Sequence, residues 1–275
     1  SLVLVPPATI LKYAARTSSS MDPLVVATFA VVILLEIIVP LALGYWIVRR
    51  FGVPWRIFLL GALFFIAVQV VHTPLVLVTQ SPLYFALLPS GTAMALAGLA
   101  VYLGLMAGLF EEIGRYVVYR YYFQRRGIPL TRETGLQFGA GWGGVESIFV
   151  ALLVLSSMVS YIALTSDAGM VPLPDDPAVQ AQVETLKALT PLDILPGLAE
   201  RMMTITLHVA WSLLVLASLV YGERLLLVLA VLWHAAVDAA AVYLAATAGI
   251  LVTEAVVFVF AVIGLIYILW EWRRM

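Results

Sequence analysis

Eight ionisable side chains stand inside long apolar stretches of this sequence: Glu36, Glu111, Glu112, Arg115, Glu146, His208, His234 and Asp238. A charge in hydrocarbon costs at least a few kcal/mol, so such residues are read first as functional. In "FEEIGRY", Glu111 and Arg115 are spaced i,i+4 and share a helix face. The guanidinium can hold a carboxylate there through paired hydrogen bonds. In "WHAAVDA", His234 and Asp238 have the same spacing, and the aspartate can orient the imidazole or join it as a ligand. Glu146 follows the glycine-crowded "GAGWGGVES", and "ERMMTITLHVAW" puts Arg201, Thr204 and His208 near one stripe.

Carboxylates and imidazoles in a chain without cysteine suit two kinds of chemistry. One is binding a borderline cation such as Zn2+ through His and Glu or Asp. The other is activation of a water by a glutamate general base, with histidine stabilising the oxyanion. Both lead to hydrolysis. The "HExxH" signature is absent, so a metal site would be assembled from separate helices, with Glu112, Glu146, His208 and His234 as its ligands. Glu111 is the expected base or ligand and Arg115 its orienting partner. Glu112 supports or shares that role, Glu146, His208 and His234 complete the site, and Asp238 orients His234.

The elements that must position these residues are membrane spans. Of the 275 residues 63% are hydrophobic and 11% charged, against about 45–50% and about 25% in soluble domains. A soluble fold of this size cannot hide so much apolar surface. That excludes a soluble globular protein, a disordered chain and a nucleic-acid binder with a basic patch. The unbroken apolar runs also exclude a transmembrane barrel, whose strands alternate. An all-α, polytopic transmembrane bundle of about seven spans is expected, at roughly 23–48, 55–79, 92–122, 135–163, 195–220, 224–246 and 249–271. Arginine crowds "RRFGVPWR", "RYYFQRRGIPLTRE" and "EWRRM", while "QSPLYFALLPSG" is uncharged and the 164–194 loop is mainly acidic. The positive-inside bias then gives an outside N-terminus and a cytoplasmic C-terminus, with Lys12 and Arg16 on the wrong side.

Counting a rise of about 1.5 Å per residue, Glu111, Glu146, His208 and His234 lie roughly 15–20 Å from the cytoplasmic ends of four different spans. Scattered structural polar residues have no reason to share a depth, so these four are expected to meet in one cavity. The glycines at 139–144 are expected to let a helix approach and to leave room beside Glu146, and the water route is expected to open toward the cytoplasm. His72 reads as a helix–helix hydrogen bond. Glu36 reads either as a structural partner or as part of the cavity lining. Residues 1–20 lack a signal-peptide layout and are expected to be an extension, with 21–275 a single transmembrane domain. The segment "PAVQAQVETLKAL" is expected to form a short surface helix.

The order "EEIGR", a glutamate on the next helix, a later helix histidine and "HAAVD" resembles the intramembrane proteases that include CAAX-type endopeptidases and bacteriocin-immunity proteins. Within that group the likeness is to the PrsW-type and especially the YhfC-type branches, over spans three to six. CAAX-type members have EExxxR, a histidine where this chain has Glu146, and HxxxN where it has Asp238. These departures point away from prenyl-protein substrates. The resemblance implies cleavage of membrane protein or peptide segments within a lipid bilayer, in a prokaryotic plasma membrane. A proton- or cation-coupled transporter could use the same residues as a relay, and a non-catalytic immunity or binding protein could keep the fold. No inverted repeat of the transporter kind is found.

Overall fold

The computed structural model describes residues 21–165 and 176–274, so the expectation for residues 1–20 lies outside the described residues. The described chain is helical, without a strand. Its helices are α1 (Pro23–Phe51), α2 (Trp55–Leu87), α3 (Thr92–Val117), α4 (Arg132–Thr165), α5 (Pro177–Lys187), α6 (Pro191–Val220), α7 (Arg224–Thr247) and α8 (Ile250–Glu271). A short 3-10 turn, Leu88–Ser90, links α2 to α3, and a π-helical stretch, Val118–Phe123, extends α3. All but α5 are long and apolar enough to cross a membrane, giving seven candidate spans. The short α5 falls within the segment expected to form a surface helix.

Local chemistry sets the helix ends. Asp22 caps α1 by accepting from the Leu24 N–H at 2.8 Å, with Pro23 in the first turn, and Gly52 closes the helix at φ 73°. Thr190 and Asp193 form a capping box at the start of α6. Inside α1, Pro40 has no N–H to offer the Glu36 carbonyl one turn back. Ser147 of α4 supplies the missing donor, its hydroxyl reaching the Glu36 carbonyl at 2.8 Å.

Two faces of the bundle are distinct. On the arginine face, the ends of α1, α4, α6 and α8 gather: Phe51 packs on Trp272, the Arg132 guanidinium lies over Trp272, and Arg274 lies over Tyr221. On the opposite, turn face, the Asp22 N–H donates to the Tyr161 hydroxyl at 3.0 Å, and Thr79 of α2 bonds Tyr102 of α3.

Glycine sets the helix approaches, since lipid-like interiors give helices no hydrophobic drive and small residues let backbones close. Gly104 and Gly108 seat α3 against the Val231–Ala239 stretch of α7. Gly61 abuts the Phe138 backbone and Gly141 the Phe58 backbone, locking α2 to α4. A Cβ on Gly139 would stand 2.8 Å from Val209 Cα, and one on Gly143 would stand 2.9 Å from His208 Cβ. The glycine run therefore leaves no room of its own: its space is taken by α1, α2 and α6. Helix α6 runs through the middle, buried almost without a break from Leu207 to Ser218.

Candidate active site

Side chains from α3, α4, α6 and α7 form one hydrogen-bonded and ionic chain in the interior. Arg201 donates to Glu146 Oε1 at 3.0 Å. The other Glu146 oxygen meets His208 Nε2. His208 Nδ1 faces Arg115 Nη2 at 2.7 Å, and because a guanidinium only donates, Nδ1 is the acceptor and the Nε2–H points at Glu146. Arg115 Nη1 pairs with Glu112 Oε1, which also receives His234 Nδ1–H at 2.6 Å. His234 Nε2 stands 3.6 Å from Asp238, an ionic contact rather than a hydrogen bond. Each carboxylate of this chain has a basic partner, and at one point, His208 against Arg115, two basic groups meet directly, with the histidine as acceptor.

Glu111 hangs beside this chain. Its Oε1 accepts from Gln69 Nε2 of α2 at 3.0 Å, and its Oε2 accepts from Trp142 Nε1 of α4 at 2.8 Å and from Arg115 Nη2 at 3.4 Å. Gln69 is itself oriented, because its carbonyl oxygen accepts from Thr73 at 2.9 Å and meets His72 Nδ1 at 3.0 Å. His72 makes its hydrogen bond within α2 and meets the neighbouring helix by stacking on Phe110, where a bond between helices was expected. Trp142 also lies under the Arg115 guanidinium, 4.4 Å from the ring centre. Trp211 stacks on His234 with ring centres 3.9 Å apart and meets His208 edge-on.

The structure brings Glu111, Glu112, Arg115, Glu146, His208, His234 and Asp238 together in one network of side-chain contacts. Glu36 does not join it; it is fully buried and neither carboxylate oxygen has a partner. Gln69, Trp142 and Trp211 escaped the reading of the sequence, which weighed only ionisable groups. A lone glutamine in "AVQVVHT" and a tryptophan framed by glycines were the available signals.

Access differs along the network. Glu112 and Arg115 are sealed, Glu111's side chain is 7% exposed, Glu146's 27% and Asp238's 38%. Toward the arginine face the site is closed by Tyr119, Phe123, Phe138, Trp142, Leu213 and Leu216. The expected cytoplasmic water route is therefore absent from this arrangement, since the helices that glycine lets together leave no gap there. A cavity of about 400 Å³ lies apart from the site, between residues 51–57 and 128–134 on the arginine face.

The donor chemistry of the four expected metal ligands suits zinc, but their arrangement does not. Among the described residues no three His, Asp or Glu side chains gather in a way that could hold an ion. Arg115 stands between Glu112 and His208, and each ring nitrogen of His208 and His234 already faces another side chain. The cation on which Glu111 and Glu112 converge is the Arg115 guanidinium.

Fold and site together define a polytopic α-helical membrane protein with a buried glutamate–histidine–arginine centre. The chain belongs to the YhfC intramembrane metalloprotease family, whose model matches residues 31–261. It is similar to the uncharacterized membrane protein YhfC of Bacillus subtilis (strain 168), with 31% identity over 221 residues covering 74% of this chain and 79% of that protein. No solved structure matches it.

Proposed function

We propose that this protein hydrolyses peptide bonds of membrane-embedded segments, with Glu111 activating the water. The observation that carries this reading is Glu111 itself: a carboxylate deep in the bundle, fixed by donors from α2, α3 and α4, that still reaches the bundle surface. A general base must meet its water, and access favours Glu111 over the sealed Glu112. Glu111 takes a proton from water as the hydroxyl oxygen bonds to the carbonyl carbon. That proton then passes to the departing nitrogen as the C–N bond breaks. His208, 3.9 Å from Glu111 and braced by Glu146, borders the same space. Glu112, Arg115, His234 and Asp238 act as positioning residues behind it.

No step is routed through a metal, because the residues present do not gather around one. A place within the wider CAAX-type and PrsW-type group is part of this proposal, supported by the order of the glutamate, arginine and histidine motifs. So is a prokaryotic plasma membrane with the arginine face toward the cytoplasm. Proton transport fits less well. Counted from the arginine-face helix ends, Glu112, Glu146, His208, His234 and Asp238 all lie roughly 15–21 Å deep, so the relay runs across the bundle rather than between its faces.

The test is cleavage of single-span reporter proteins by the purified chain in liposomes. Glu111→Gln should abolish cleavage while the protein stays folded. Equal cleavage by the variant would overturn the assignment.

A further inference from the structure

Helices α2 and α4 touch along the arginine-face half of the bundle and then part. Phe58 meets Gly141, Gly61 meets Phe138, and Phe65 meets first Trp142 and then Phe149, with ring centres 5.8 and 6.3 Å away. Beyond Phe65, α2 buries no residue and lies along α3: Val68 against Gly114, His72 against Phe110, Thr79 against Tyr102 and Leu87 against Gly98. Helix α4 leaves in the other direction. Its Val154, Met158, Tyr161 and Ile162 pack with Val25, Phe29 and Val32 of α1 and Ile194 of α6. The α4 stripe that faced α2 at Phe149 continues through Leu153, Ser156 and Ser160 and stays exposed throughout, with Leu153 65% exposed. Glu146 begins that stripe, one turn below Phe149, and Gln69 stands across from it, one turn above Phe65.

From this we infer that the site is served from the turn face, through a water-filled cleft between the separated halves of α2 and α4. Polar groups mark the route: Gln69 and Thr73 on one wall, Glu146, Ser156 and Ser160 on the other, and Arg201 and Glu200 bonded above Glu146. Thr73 donates to Gln69, Ser160 to the Ser156 carbonyl, and Glu146 is paired with Arg201 and His208, so both walls are polar while most of these groups are held by the protein itself. On the arginine side no residue of the site lines the cavity between residues 51–57 and 128–134, and the polar side chains of that half, Tyr119, Gln137 and Ser212, are wholly buried. As a statement about substrate this rests on the protease reading: the bond cut would lie in the half of the membrane bounded by the 88–91 turn. As a statement about access it does not depend on that reading.

The chain has no cysteine, so single thiols report access directly. Leu153→Cys lies in the cleft, and Val31→Cys on α1 is a lipid-facing control at similar depth, exposed 51%. Ser212→Cys probes the sealed half. Full-length variants in oriented membrane vesicles are treated with a charged, membrane-impermeant thiosulfonate from either side. The reagent added at the turn face should modify Leu153→Cys at least about tenfold faster than Val31→Cys, since thiolate forms only where water reaches. Ser212→Cys should not react from either side. Modification of Leu153→Cys only from the arginine face, a rate no faster than that of Val31→Cys, or ready labelling of Ser212→Cys would overturn the inference. Loss of proteolysis in reporter assays, with this labelling pattern intact, would overturn the protease reading alone.

Discussion

Arg115 and His208 lie 93 positions apart in the chain, yet their side chains meet at 2.7 Å in the middle of the bundle. The same guanidinium pairs with Glu112 and reaches Glu111, so one arginine joins both glutamates to the histidine of another helix. Removing one member of a buried ionic group leaves the others uncompensated and costs about 3–5 kcal/mol. Arg115→Ala is therefore expected to unfold at markedly lower denaturant than the wild type. The double variant Arg115→Ala/Glu112→Ala should recover part of the loss. A double-mutant cycle in detergent measures this, and additive losses would contradict the coupling.

The glycine contacts give a second prediction. A methyl at Gly143 would crowd His208 Cβ at 2.9 Å, whereas nothing lies within 4 Å of the corresponding position at Gly197. Gly143→Ala should destabilise by about 1–3 kcal/mol and lower reporter cleavage. Gly197→Ala, also in a helix, should be neutral or stabilise by up to about 1 kcal/mol. Thermal melts and cleavage rates of the two variants check this. Equal behaviour would show that helix approach at Gly143 does not place His208.

Chelation gives a third. With Arg115 where Glu111 and Glu112 converge, reporter cleavage should persist after exhaustive treatment with a strong chelator and removal of bound ions. Loss of cleavage that added zinc restores would show that Glu112, Glu146, His208 and His234 rearrange around a metal in the working enzyme.

Much of this was legible in the sequence because membrane spans announce themselves. The seven apolar stretches, the arginine-rich ends and the shared depth of Glu111, Glu146, His208 and His234 follow from counting residues along helices. The rest depended on rotation and approach, which counting does not give. The glycines before Glu146 read equally as space or as contact, and only the seating of Phe58 and His208 against them decides for contact. The partners of Glu111, Gln69 and Trp142, are neutral and come from other helices, so no charge pattern marked them. The direction of access depends on where α2 and α4 part, and nothing in either helix's own hydropathy shows that.

Orientation gives a fourth prediction. Arg49, Arg50, Arg56, Arg120, Arg125, Arg126, Arg132, Arg224, Arg273 and Arg274 lie at or beside helix ends on one face. The positive-inside bias puts that face in the cytoplasm. A reporter enzyme that works only outside the cytoplasm should be silent when fused after Met275 and active when inserted at the 88–91 turn. The reverse pattern would invert the account of which side the cleft opens toward.

The central claim is that Glu111 activates a water inside the membrane, and its most direct measurement is oxygen transfer. A single-span reporter is incubated with the reconstituted full chain in 18O-labelled water, and the new C-terminus is weighed by mass spectrometry. The account predicts one labelled oxygen in that carboxylate with the wild type and no cleaved product with Glu111→Gln, while Glu111→Gln remains folded at the temperature of the assay. Labelled product formed by Glu111→Gln at the wild-type rate would contradict it.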